Sequence, residues 1–160
     1  MAWFSYFLLS VPEAFLLLAV SFALFGISIS KEIKSMVIFS FLYGGITFSL
    51  SIIMQSSLKP LLTFIIFSLL VAYFFRFKLI SGIIIGLISF IFLFTFEILM
   101  VPLFMQLFSL SVEQIISTPW LRIAAGLFTL HLPMLLLLLF FKLSNLKIKL
   151  PLLTSASHRP

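Results

Sequence analysis

The sequence contains no cysteine and no aspartate, and only 4 of its 160 residues are acidic. Without cysteine there is no disulfide, no thiol nucleophile and no thiolate-held metal, and the redox compartment is left undetermined. Without aspartate there is no aspartyl-protease pair and no Asp-rich site for a magnesium diphosphate. Charge of any kind is scarce, at 9% of residues, where soluble domains carry about a quarter. With 63% hydrophobic residues and a mean hydropathy of +1.36, too little polar surface exists to wrap a core in water. A soluble fold is excluded.

Other absences narrow the chemistry further. There is no HExxH zinc motif, no phosphate-binding Walker loop and no G-x-S-x-G serine elbow to pair with His131. Catalysis by this chain alone is not expected, and neither is a metal or other cofactor. The net charge of +6 invites a nucleic-acid reading. However, the 10 basic residues stand singly or in pairs at the ends of apolar runs, where membrane topology places them, so no nucleic-acid partner is expected.

What is present is a series of long apolar runs. A helix needs about 20 apolar residues to cross a hydrocarbon core of about 30 Å. Cutting at charges and turn residues gives an all-α integral membrane protein with a bundle of about five spans: 4–28, 36–54, 61–75, 79–105 and 119–141. The third is short and needs bilayer thinning or flanking residues to cross. Residues 1–142 form the bundle and 143–160 a basic cytoplasmic tail that includes His158 and Arg159. Met1 to Leu9 has no Lys or Arg ahead of its apolar stretch, so the first segment is expected to remain as a membrane helix and not to be cleaved.

Alternating the connections puts Lys31, Lys34, Arg76, Lys78, Lys142, Lys147, Lys149 and Arg159 on one side and only Lys59 and Arg122 on the other. The positive-inside rule then predicts an outside N terminus and an inside C terminus in the cell membrane. In the outer connection 106–118, Ser111 and Gln114 have capping-box spacing and predict a short helix from Val112. Thr118-Pro119 reads as a cap and first position for the last span, with Trp120 as a headgroup anchor.

Ionisable residues within a span are costly and turn toward the bundle interior. Counted from the outer ends at about 1.5 Å per residue, Glu13 lies about 14 Å deep, Glu97 about 12 Å and His131 about 17 Å, one layer near the midplane. Arg122 starts higher and can reach either carboxylate or the headgroups. On ideal helix geometry, Arg122 and His131, nine residues apart, project from nearly opposite faces. Gly86 precedes Glu97 by eleven residues, only about 20° around a helix, and Gly82 falls on the same side. Gly82 and Gly86 form a small-xxx-small pair for close helix approach, with Gly44 and Gly45 as the expected partner surface. Pro12 and Pro102 predict local helix defects, and Pro133 a bend. The layer of Glu13, Glu97, Arg122 and His131 has two readings: a polar ligand pocket, or interhelical hydrogen bonds that only fix the packing.

Leu9-Ser10-Val11-Pro12-Glu13-Ala14, Gly26-Ile27, Phe96-Glu97 with Pro102, and Pro119-Trp120-Leu121-Arg122 together resemble the N-terminal multi-span sensor region of Gram-positive GHKL-type sensor histidine kinases. The resemblance runs to about Lys142. It implies a membrane sensor that passes its state to a cytoplasmic kinase through the final helix. The 18 residues after Lys142 hold no dimerisation helix, phosphoacceptor region or ATP-binding domain, so the resemblance implies a stand-alone form acting through a partner, or a truncated sensor. Beyond the lipid bilayer, the expected partner is another membrane or cytoplasmic signalling protein, with a homo-oligomer left open. The expected role is sensory or regulatory. The alternatives are a small transporter or the substrate-binding membrane subunit of one, and an assembly subunit of a larger complex.

Overall fold

A computed structural model describes residues 2–149. Four helices are long and apolar enough to cross a membrane: α1 Trp3–Phe25, α2 Ile29–Ile53, α4 Leu79–Phe108 and α6 Pro119–Ser144. Between them lie α3, Lys59–Phe74, which is apolar but only 16 residues long, and the short α5, Val112–Ser117. The protein is therefore an all-α, multi-pass membrane protein. Its surface agrees: Ile38, Leu69, Ile98, Leu99 and Leu136 are all more than half exposed. In water such a surface aggregates, whereas in lipid it is solvated.

The helix ends follow from local chemistry. At α1, Gly26 adopts φ +71, and the Gly26 N–H donates to Ala23 O while the Ile27 N–H donates to Phe22 O at 2.9 Å. This is a Schellman stop, which releases no orphan carbonyl into an apolar end. The same pair of bonds closes α3 at Arg76 (Phe77 N–H to Ala72 O, 3.0 Å) and α4 at Ser109 (Leu110 N–H to Met105 O, 3.0 Å). There non-glycine residues take φ 53 and φ 50. At α5 the predicted capping box forms: the Gln114 N–H donates to Ser111 Oγ at 3.2 Å, and the Ser111 N–H donates to Gln114 Oε1 at 2.8 Å. Thr118 is the N-cap of α6 with Pro119 at the first position, although its hydroxyl makes no capping bond.

Boundaries differ from the sequence reading in one instructive place. The second helix begins at Ile29, not Met36, and only residues 26–28 connect it to α1. Lys31, Glu32 and Lys34 therefore occupy its first turns. Charges mark where a helix leaves the hydrocarbon, not where it ends, because long side chains reach the headgroups from the helix itself. Likewise α4 runs on to Phe108 with Pro102 inside the helix, where the missing proline N–H leaves the Ile98 carbonyl without its usual helical donor.

Packing is uneven along the bundle. The second half of α1 (Leu17, Leu18, Phe22), the first half of α2 (Met36, Phe39), the second half of α3 (Phe67, Val71) and Ile85 of α4 form a fully buried core with Met134. Phe39 meets Phe67 edge-on at 5.2 Å and Phe22 meets Phe75 at 4.8 Å. Aromatic edge-to-face contacts of this kind add directional attraction where lipid removes the hydrophobic drive to associate. All these segments lie at the end of the bundle holding the 26–28 and 75–78 turns. That end is solid.

The glycine pairing is a second correction. A Cβ on Gly82 would stand 2.6 Å from the Ser68 carbonyl oxygen, and one on Gly86 would strike Ser68 Oγ, so this pair seats α3. Gly44 lies instead against the Ser10–Val11 backbone of α1, and Gly45 against Tyr6. Both glycine pairs are close-approach sites, but not with each other. Beside the first contact, Ser21 and Ser89 join α1 to α4 at 2.6 Å, with Ser89 also 2.8 Å from the Ile85 carbonyl. Ser68 and Ser81 are buried with no hydrogen-bond partner among the described residues.

At the other side of the solid end, Asn145 closes α6 in a left-handed conformation. Its following residues return to the bundle, where the Ile148 N–H donates to Leu24 O at 2.7 Å and the Lys147 stem lies over Gly26. The start of the expected tail is thus docked on α1; residues 150–160, with His158 and Arg159, lie outside the described residues.

Candidate functional site

The opposite end of the bundle is hollow. A cavity of about 720 Å³ opens there, bounded by the first half of α1, the second half of α2, the start of α3, the second half of α4 and the start of α6. Glu13, Glu97, Arg122 and His131 all line it. The four ionisable residues singled out from the sequence are thus brought together in one site. Lys59, Tyr43, Thr47 and Thr63 line it too. Sequence does not single them out, because Lys59 reads as part of a connection and lone hydroxyl residues carry no distinguishing pattern. In the structure Lys59 is the first residue of α3, followed by Pro60, and a Lys-Pro pair ahead of an apolar run was the signal for that start.

Two irregular turns shape the walls. Residues Tyr6–Ser10 of α1 and Leu127–His131 of α6 are π-helical, and each ends two residues before a proline, Pro12 or Pro133. Proline has no N–H for the carbonyl four residues back, and a wider turn just upstream lets the Val11 and Leu132 N–H groups reach back five residues, to Tyr6 O and Leu127 O. A π turn advances less around the axis per residue. The ideal-helix expectation that Arg122 and His131 face opposite ways therefore fails, and both reach the cavity.

His131 is buried, at 7% exposure, and both ring nitrogens meet backbone carbonyls. Nδ1 is 3.0 Å from Gly126 O within its own helix, and Nε2 is 3.3 Å from Leu9 O of α1. A neutral imidazole donates from one nitrogen at a time; only the doubly protonated ring donates to both carbonyls. His131 thus clamps the two π turns together. Leu9 Cδ2 also fills the space beside Gly126, 2.6 Å from where a Cβ would stand.

The charged groups are arranged by depth. Lys59 opens α3 and Arg122 is the fourth residue of α6, so both cations sit within a turn of the helix starts. Glu13 is ten residues into α1 from Trp3 and Glu97 eleven residues back from Phe108, about 15 Å and about 16 Å along their helices from that same end. The two carboxyls lie within coulombic range of each other, and Lys59 within range of both. Among the described residues, none of these four side chains has a hydrogen-bond or ion-pair partner in the protein. Glu97 and Arg122 are exposed into the open cavity, while Glu13 and Lys59 are half-buried. No three His, Cys, Asp or Glu side chains among the described residues come together in a way that could hold a metal ion.

The remaining marked residues lie elsewhere. Pro102 does not line the cavity, and Trp120, 58% exposed, packs near Phe4 with ring centroids 6.3 Å apart. Helix α5 buries no residue and leaves Val112 and Ile116 exposed, a surface suited to the membrane interface. No protein-family model, curated protein or solved structure matches the chain.

Proposed function

We propose that this multi-pass membrane protein is a sensory or regulatory component that binds a small polar ligand in the cavity and acts through a partner protein, with no catalytic step of its own. The observation that carries this reading is the set of unpaired charged side chains, Glu13, Glu97, Lys59 and Arg122, around one open cavity of about 720 Å³. Side chains that only fixed the packing would hydrogen-bond across helices, because an unsatisfied polar group within a membrane is expensive. The volume falls in the range of small-molecule sites, about 300–1,000 Å³. The His131 clamp gives a route outward. A ligand that shifts the start of α6 against α1 bears on a helix whose far end docks Ile148 on Leu24. The positive-inside count supports a cavity on the outer face and a tail in the cytoplasm. The resemblance to kinase sensor regions supports the same role.

A transporter is the second reading, favoured by the two π turns, since interrupted helices beside a polar cavity also suit a moving gate. Two measurements separate them. Gentle-detergent purification from the native membrane, followed by mass spectrometry, should recover a kinase or other signalling protein. Proteoliposomes holding the chain alone should show no counterflow of solute or protons. Recovery of ATPase or permease subunits, or solute flux by the chain alone, would contradict the sensory reading.

A further inference from the structure

The geometry points to a zwitterion as the ligand: an ammonium group held deep by Glu13 and Glu97, and an anionic group held at the mouth by Lys59 and Arg122. This inference rests on the binding-cavity reading above and specifies its occupant. Two acidic groups alone would suit a cation and two basic groups alone an anion, but here the signs are separated along the cavity axis. The cations sit at the first turns of α3 and α6, and the carboxyls two to three turns farther in. The helices α3 and α6 both begin at the mouth, so their positive ends add to the field there and favour an anionic group. A ligand of one sign would bring a counter-charge to only one of the two pairs, in a site flanked by lipid. A ligand carrying both signs satisfies all four at once.

The neutral lining sets the rest. Both ring nitrogens of His131 lie against backbone carbonyls, at 3.0 and 3.3 Å, which leaves neither aimed at a ligand. Thr47, which lines the cavity, donates its hydroxyl proton to the Gly44 carbonyl, which leaves its oxygen able to accept. Two carboxyls and a hydroxyl acceptor lining one cavity favour a primary ammonium, which has three N–H donors to place, over a quaternary one, which has none. The same chemistry occurs in a free amino acid or short peptide and in the headgroup of an aminophospholipid.

The test uses the whole chain in nanodiscs of phosphatidylglycerol only, with thermal stabilisation as the readout. The soluble probes are glycine, β-alanine, Ala-Ala and phosphoethanolamine, and a parallel sample carries phosphatidylethanolamine in the disc. For Ala-Ala, the N-acetyl form removes the ammonium and the amide form removes the carboxylate. At least one zwitterion should stabilise the protein. Capping either end should weaken binding at least tenfold, as should Glu97→Gln and Lys59→Gln, whereas Thr95→Val should leave it unchanged. Stabilisation by soluble zwitterions assigns a free ligand, and stabilisation confined to phosphatidylethanolamine assigns a lipid headgroup.

Equal binding of one capped form would overturn the zwitterion while leaving a binding cavity in place. No stabilisation by any probe or by the lipid would overturn it too. In that case, labelling of Thr47→Cys by a water-soluble maleimide tells whether the cavity itself fails: labelling preserves the cavity reading, and a dry cavity removes both.

Discussion

Replacing Gly82 with alanine should damage the bundle more than any other single-methyl addition at the four paired glycines. The added Cβ would stand 2.6 Å from the Ser68 carbonyl oxygen and 2.9 Å from Ala72 Cβ. Both obstacles belong to the body of α3 and cannot rotate away. Restoring an ordinary contact of 3.4 Å requires α3 and α4 to part by about 0.8 Å, or one of them to bend. Overpacking of this kind costs about 1–3 kcal/mol, against which alanine returns up to about 1 kcal/mol of helix propensity. The net expectation is a loss of about 1–2 kcal/mol.

Three controls sharpen it. At Gly86 the obstacle is Ser68 Oγ, a hydroxyl with no hydrogen-bond partner among the described residues, so a rotamer change accommodates most of the methyl group. At Gly44 the nearest atoms are α1 backbone at 3.2 Å, an intermediate case. At Gly45 the nearest atom is 3.6 Å away, and alanine should be neutral or slightly stabilising. Reversible unfolding in mixed micelles, read by circular dichroism, should give the order Gly82→Ala worst, then Gly44→Ala, then Gly86→Ala, with Gly45→Ala harmless. Equal losses at Gly82 and Gly45, or none at Gly82, would refute the close approach of α3 and α4.

Three further outcomes follow from the same geometry. Ser21→Ala and Ser89→Ala should be coupled by about 0.5–1.5 kcal/mol in a double-mutant cycle, because their hydroxyls bond each other at 2.6 Å in the solid end; purely additive losses would deny that bond. His131→Leu should lower stability by about 1–2 kcal/mol through loss of the bond to Leu9 O, and should raise hydrogen exchange of the first half of α1; unchanged exchange there would mean that the ring does not tie α6 to α1. Glu97→Gln should impair the cellular output of the protein far more than Glu32→Gln, since Glu97 lines the cavity and Glu32 lies in the first turn of α2; equal effects would remove the cavity from the mechanism.

The members of the site could be read from the sequence because a membrane makes ionisable residues conspicuous. Glu13, Glu97, Arg122 and His131 stood out by cost alone, and all four meet in the cavity. Lys59 escaped because a lone lysine beside Gln55 and Ser56 looks like a solvated connection, and only the helix start at Lys59 turns it inward. The π turns are not legible because periodicity assumes 3.6 residues per turn; the prolines two residues downstream are the available cue, and by themselves they read as kinks. The partners of the glycine pairs were not legible either. A small-xxx-small face specifies that some helix approaches closely, but which helix depends on how five helices share one cross-section. The solid end was implicit in the phenylalanines, yet nothing in their spacing separates Phe39, fully buried, from Phe41, 45% exposed.

Water should reach the charged cavity from one side of the membrane only, the side that the charge bias predicts to be the exterior. The absence of cysteine makes this directly testable with single-cysteine variants in intact cells and a membrane-impermeant maleimide. Thr47→Cys and Thr63→Cys, which line the cavity, should label from outside, whereas Leu69→Cys on the lipid-facing surface and Ser89→Cys in the solid end should not. Labelling of the cavity positions only after the inner face is exposed would reverse the orientation, and no labelling of Thr47→Cys or Thr63→Cys from either side would contradict the cavity itself.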